Sequence, residues 1–150
     1  MKIFIRLFFA MFLLLQSCAT DQECEDLSCT TPPVSFIFEL VDSATGENLF
    51  TNGTYTPSQI EINNLNDDDN IAYTFIDENE VNLIQIASIG WESGVTNIAL
   101  ELDSERMVTL YVDAERVTDD CCNFTRYNEV RIETEFGLDE QDGVYRILVD

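Results

Sequence analysis

From Val34 onward apolar side chains return at every second position. That period belongs to strands, whose successive side chains face opposite ways, and not to an amphipathic helix, whose stripe returns about every 3.6 residues. Phe36, Phe38 and Leu40 alternate with Ser35, Ile37 and Glu39, and Ile60 and Ile62 with Gln59 and Glu61. Ile71, Tyr73 and Phe75 follow, then Ile98, Leu100 and Leu102, and Val108, Leu110 and Val112. Val130, Ile132 and Phe136, and finally Tyr145, Ile147 and Val149, complete the set. Val81 to Ile89 is apolar at both parities, the signature of a central strand. Turn-forming residues separate the runs: Asp42 to Asn48, Asn63 to Asn70, Asp77 to Glu80, Gly90 to Gly94, Asp103 to Glu105, and Gly137 to Gly143. The spacing predicts an all-β domain over 34–150, an antiparallel β-sandwich of about seven to eight strands, immunoglobulin-like in architecture.

The composition agrees with one such domain. The chain has 150 residues, 45% hydrophobic and 11% aromatic, enough apolar surface to bury a core and too much for a disordered chain. It carries 29 Asp and Glu against seven Lys and Arg, and no histidine. A body this negative repels phosphate backbones, so no nucleic-acid partner is expected. Lack of histidine removes Ser-His-Asp and Cys-His catalysis and His-ligated metals. Both Lys2 and Arg6 precede residue 18, so the rest has no lysine for a Schiff base or P-loop. No cofactor and no enzymatic activity are expected.

Lys2 and Arg6 open the chain, and Leu7–Leu15 is an unbroken apolar run. Nine residues are too few for a membrane span of about 20, but suit a signal peptide. The run ends Leu15-Gln16-Ser17-Cys18, which resembles the lipobox of bacterial lipoproteins, although Gln16 is unusual at its position. The resemblance implies a signal peptide at 1–17, diacylglyceryl modification of the Cys18 thiol, and cleavage before it. Residues 18–150 then hold five arginines against 29 carboxylates, a net charge of −24. Two or more acyl chains make such an anchor stable. Ala19, where an inner-membrane retention signal would carry Asp, implies the bacterial outer membrane. Asp21 to Asp26 is similar to acid-rich surface-export signals and equally reads as a solvated tether, so the face of that membrane stays open.

Residues 18–33 are acidic and apolar-poor and end in Pro32-Pro33, a lipidated tether stiffened at its far end. With Cys18 acylated, four cysteines remain: Cys24, Cys29, Cys121 and Cys122. Exported cysteines are oxidised by default, and four allow three pairings. Adjacent Cα atoms sit about 3.8 Å apart, short of the usual disulfide span of about 4.4–6.8 Å. Each of Cys121 and Cys122 is therefore expected to bond one tether cysteine, in an order the sequence leaves open. A four-thiolate zinc site lacks the usual paired C-x₂-C spacing.

Leu40-Val41-Asp42-Ser43-Ala44-Thr45-Gly46-Glu47-Asn48-Leu49-Phe50 resembles the first hairpin of carboxypeptidase-regulatory or transthyretin-like sandwiches, with Asn48 in place of their Pro. It bears on topology and implies no activity. The oxygen-rich Asp67-Asp68-Asp69 suits calcium in residue type but lacks EF-hand spacing, and most acidic turns on such a chain are hydrated. Trp91 sits between Gly90 and Gly94, where a loop aromatic stacks on a sugar or anchors a partner, or else folds back over the core. Arg126 and Tyr127 are adjacent candidates for ligand contact. Asn52-Gly53-Thr54 and Asn123-Phe124-Thr125 match the N-glycosylation pattern, and Asp42-Ser43-Ala44 resembles a bacterial O-glycosylation tripeptide. The sum is a lipid-anchored, non-enzymatic binding, adhesion or accessory module with a protein or glycan partner. Alternatives are capture of a cationic protein such as lysozyme, in the manner of periplasmic inhibitor lipoproteins, and a two-carboxylate glycoside hydrolase.

Overall fold

The structure, a computed structural model, describes residues 29–67, 69–78, 81–119 and 122–150. Among the described residues, ten strands form two five-stranded sheets. The first sheet holds β1 (Cys29–Thr30), β3 (Ile60–Asn64), β6 (Gly94–Leu102), β7 (Glu105–Asp119) and β8 (Cys122–Glu133), in the order β1-β8-β7-β6-β3. The second holds β2 (Phe36–Asp42), β4 (Thr74–Ile76), β5 (Leu83–Ile86), β9 (Gly137–Gln141) and β10 (Val144–Val149), in the order β4-β5-β2-β10-β9. Among the described residues, no helix is long and apolar enough to cross a membrane.

The alternation builds the core as expected. Phe36, Phe38 and Leu40 of β2, Ile84 and Ile86 of β5 and Ile147 of β10 meet Ile62, Ile98, Leu100, Leu102, Leu110 and Val112 of the other sheet. All are buried, and no polar residue among those described is fully buried with them. Burial of side chains this size stabilises by about 1.5–3 kcal/mol each.

Both sheets differ from an all-antiparallel sandwich in one pair. β1 runs parallel to β8, and β10 runs parallel to β2 from Val144–Ile37 to Val149–Asp42. The path explains the second case. After β8 the chain crosses sheets through Thr134–Phe136, runs back along β9, turns at Asp142-Gly143 and enters β10 beside β2, from the same end. Asp142 and Gly143 both have positive φ (53° and 80°), as a two-residue hairpin matching strand twist requires. Asp103 and Ser104 do the same between β6 and β7, at 50° and 68°.

The strand count also exceeds the expected seven to eight. β1 and β9 lie within stretches that read as tether and turn, and every residue of β9 is exposed, so it has no alternation to show. The stretch from Val81 to Ile89 gives only the four-residue β5, interior to its sheet but buried on one face alone. Phe136 falls outside β8, in the crossover.

Two bulges adjust the long β6-β7-β8 meander. Leu100 pairs with Val108 and Glu101 with Arg106, so Met107 is an extra residue and both it and Val108 turn inward. In β8 the extra residue is Asn128, between Glu129 opposite Asp113 and Tyr127 opposite Ala114. It inverts the alternation, sending Tyr127 to the core face and Arg126 to the outer one.

Candidate functional site

The site grows from the end of the sandwich where the chain enters. Cys29 and Cys122 are directly opposite in the β1–β8 register and form a disulfide across a separation of 93 residues. The expectation that one tether cysteine bonds one member of the adjacent pair is met for this bridge. Cys18, Cys24 and Cys121 lie outside the described residues. Thr31, just past β1, donates its N–H to Asn123 O (2.8 Å), so the last part of the stretch read as tether is fixed to the sheet.

Arg116 of β7 fastens that segment to the loop carrying Trp91. Its guanidinium donates to Thr31 O and Thr125 Oγ1 (both 2.9 Å) and to Asn123 O (3.4 Å). Its backbone N–H donates to Ser93 Oγ (2.8 Å). The same guanidinium lies over the indole of Trp91, 5.4 Å from the ring centroid. Indole Nε1–H donates to Ala87 O (3.1 Å), satisfying the ring's only polar group locally. Trp91 is nonetheless 48% exposed, so the ring neither folds back over the core nor waves in solvent.

Gly90 explains the loop's tight seat. Its φ is +92°, and a Cβ there would lie 2.9 Å from Tyr127 Oη and 3.0 Å from Thr125 Cγ2, while its carbonyl accepts from Thr125 Oγ1 (2.7 Å). Tyr127 packs edge-on to Phe36 (centroids 6.2 Å apart), and its hydroxyl accepts from the Val34 N–H (3.1 Å). Burial pushes this phenol's pKa up, against smaller lowering by the Val34 bond and Arg116.

Trp91 forms one wall of a cleft of about 380 Å³ between this loop and the β3–β4 connection. Asn64, Asn70, Ser88, Glu92 and Thr96 supply polar groups and Ile71 an apolar flank. Asn64 Oδ1 accepts from Asn66 N–H (3.1 Å) and Ser88 Oγ makes a long 3.4 Å contact with Ala72 O. The side chains of Asn70, Glu92 and Thr96 have no hydrogen-bond partner among the described residues.

A second hollow, about 690 Å³, lies at the opposite end, on the outer side of β6-β7-β8 and under the crossover. Glu101, Glu105, Glu133 and Glu135 line it, with Phe136. Arg106 binds Glu101 (3.1 Å) and Arg131 reaches Glu133 at 3.9 Å.

The remaining candidates fall elsewhere. Arg126 and Tyr127 do not form one patch: as neighbours in β8 they face opposite sides of the sheet, the bulge at Asn128 turning Tyr127 inward, and Arg126 pairs with Glu115 at 3.6 Å. Asp67 Oδ1 accepts from the N–H of Asp69 (3.2 Å), Asp69 O accepts from Asn64 N–H, and Asp68 lies outside the described residues. Among the described residues, no group of three Cys, Asp or Glu is placed to hold a metal ion. Ser43, of the O-glycosylation tripeptide, donates to Asp150 Oδ1 (2.6 Å), and Asn52 Oδ1 accepts from Thr54 N–H and Oγ1–H.

Sequence reasoning found Trp91 through its flanking glycines but missed Arg116 and the uncommitted Asn70 and Thr96. Nothing local marks those three, because only the sheet register brings them to the loop. No protein-family model matches the chain, and no curated protein or solved structure matches it either.

Proposed function

We propose that this chain is a lipid-anchored, non-enzymatic binding module of the bacterial outer membrane. The observation that carries the reading is Leu15-Gln16-Ser17-Cys18 closing a charged-then-apolar leader. The Cys29–Cys122 bridge supports it, since a disulfide persists in an oxidising compartment. Among the described residues, that bridge and the Thr31 segment lie at the same end of the sandwich as the Trp91 loop. The binding role rests on the held, half-exposed indole and the open cleft beside it. A residue inventory without histidine, and without lysine after residue 18, supports recognition over catalysis. Metabolic labelling with radioactive palmitate tests the anchor. The wild type takes up label and Cys18→Ala does not, and label surviving that substitution contradicts the reading.

A second reading follows from the hollow at the opposite end. Glu105 and Glu135 there have no ion pair among the described residues, so the hollow keeps a negative field suited to a protruding Lys or Arg of a cationic protein. Such capture is fast at low ionic strength and weakens with salt. Surface plasmon resonance against lysozyme at low salt checks it, and a flat response removes it.

A further inference from the structure

We propose that the Trp91 cleft binds the end of a neutral saccharide chain. The proposal builds on the reading of the chain as an envelope binding module and names the ligand class of that module's site. A sugar ring has an apolar C–H face and a rim of hydroxyls, each able to donate and accept. Its natural complement is a fixed aromatic plane beside several small polar side chains. Trp91 supplies the plane. Its ring is immobilised before any ligand arrives, by Arg116 against it and by the Nε1–H bond to Ala87 O, so little ordering is lost on binding. Asn70, Thr96 and Glu92 offer donors and acceptors with no other partner among the described residues, and Asn64 keeps its Nδ2 group. At about 380 Å³ the cleft falls in the range of small-ligand sites and is too small to take a protein element.

The charge pattern sets the class. Among the described residues, the only ionisable group lining the cleft is the Glu92 carboxylate, and Arg116, on the ring, is already bonded to three oxygens. An acidic sugar would meet like charge on Glu92 and on the body as a whole, whereas a neutral one loses nothing by approaching.

Trp91 is the single tryptophan, so indole emission of the full-length protein reports this site alone. The probes are the trimer of N-acetylglucosamine and maltotriose as neutral chains, with the galacturonic acid trimer as the acidic one. At least one neutral trimer shifts the emission saturably, and the acidic trimer binds at least tenfold more weakly. By calorimetry Trp91→Ala lowers affinity at least tenfold. Asn70→Ala and Thr96→Ala each lower it about three- to tenfold, the range of one neutral hydrogen bond, with Tm unchanged. Silence with both neutral trimers, equal binding of the acidic one, or wild-type affinity in Trp91→Ala overturns the proposal. Full-length Cys18→Ala, assayed in parallel, keeps the saccharide affinity while losing the palmitate label. Anchor and sugar site thus fail or succeed separately.

Discussion

Removing the Cys29–Cys122 bridge gives the most quantitative test of how this fold is held together. In a background where Cys18, Cys24 and Cys121 are serine, no other pairing can substitute, and the bridge alone separates that protein from one also carrying Cys29→Ser and Cys122→Ser. The bond closes 93 residues. Loop-closure entropy for that length gives ~4.6 kcal/mol at 25 °C, as the ceiling from constraining the unfolded chain. A domain of this size is stable by about 5–15 kcal/mol, so at that ceiling one bond supplies roughly three-tenths to nine-tenths of the total. Urea unfolding followed by tryptophan emission reads the difference. At a slope of about 2 kcal/mol/M the midpoint falls by about 2.3 M. The loss should have a local component as well. β1 is two residues long and, without its sulfur link, keeps only a few hydrogen bonds to β8, so Thr31 N–H should exchange with solvent well before the β6-β7-β8 meander does. A difference under about 1 kcal/mol, or equal protection of Thr31 in both proteins, would refute the view that the bridge restrains a long loop and pins the first strand.

Other perturbations follow from single contacts. Gly90→Ala combines a φ of +92° with a Cβ 2.9 Å from Tyr127 Oη, and should cost about 1–3 kcal/mol by urea unfolding. Phe38→Ala, at a fully buried position packed on Tyr145, should cost about 3–5 kcal/mol in the same assay. Hydrogen bonds from Thr45, and more weakly from Ala44, hold the exposed Asp42 carboxyl below its usual pKa. Its contribution is therefore present above about pH 3.8 and lost as pH falls through the lower folded-state value. Asp42→Asn should flatten the acid limb of the midpoint-against-pH curve there. Tyr55, Tyr127 and Tyr145 are shifted the other way by burial, so their stabilisation is complete below about pH 10 and fades as pH rises further. Tyrosinate absorbance during alkaline titration should show a fraction of the phenols ionising late, and uniform titration at the ordinary pKa contradicts this.

The sandwich was readable because its inner strands bury one face each, and Phe36, Ile62, Leu100 and Leu110 write that burial into the sequence at every second position. β9 was not, because a strand exposed throughout carries no period, although Asp142-Gly143 announces the hairpin that ends it. The parallel β2–β10 pair was hidden for another reason: strand neighbours distant in sequence leave no local trace. Tyr127 illustrates a third limit. Simple alternation places it with Glu129 and Arg131, and one additional residue, Asn128, reverses the outcome. At the candidate site, glycines around Trp91 mark an aromatic in a loop. The exposure of the ring and the arginine steadying it depend on contacts from β7 that no pattern around position 91 encodes.

The parallel seating of β10 against β2 has a kinetic consequence. Glu39 and Arg146, which clasp those strands through a 2.9 Å ion pair, stand 107 positions apart, so the chain made first must wait for the chain made last. The hairpins of β6, β7 and β8 need no such delay and can condense as soon as they emerge. Until the final strand is available, the side of β2 that faces β10 therefore stays unpaired. High contact order of this kind slows maturation, and under the proposed lipid anchor that wait would be completed with the chain already moored.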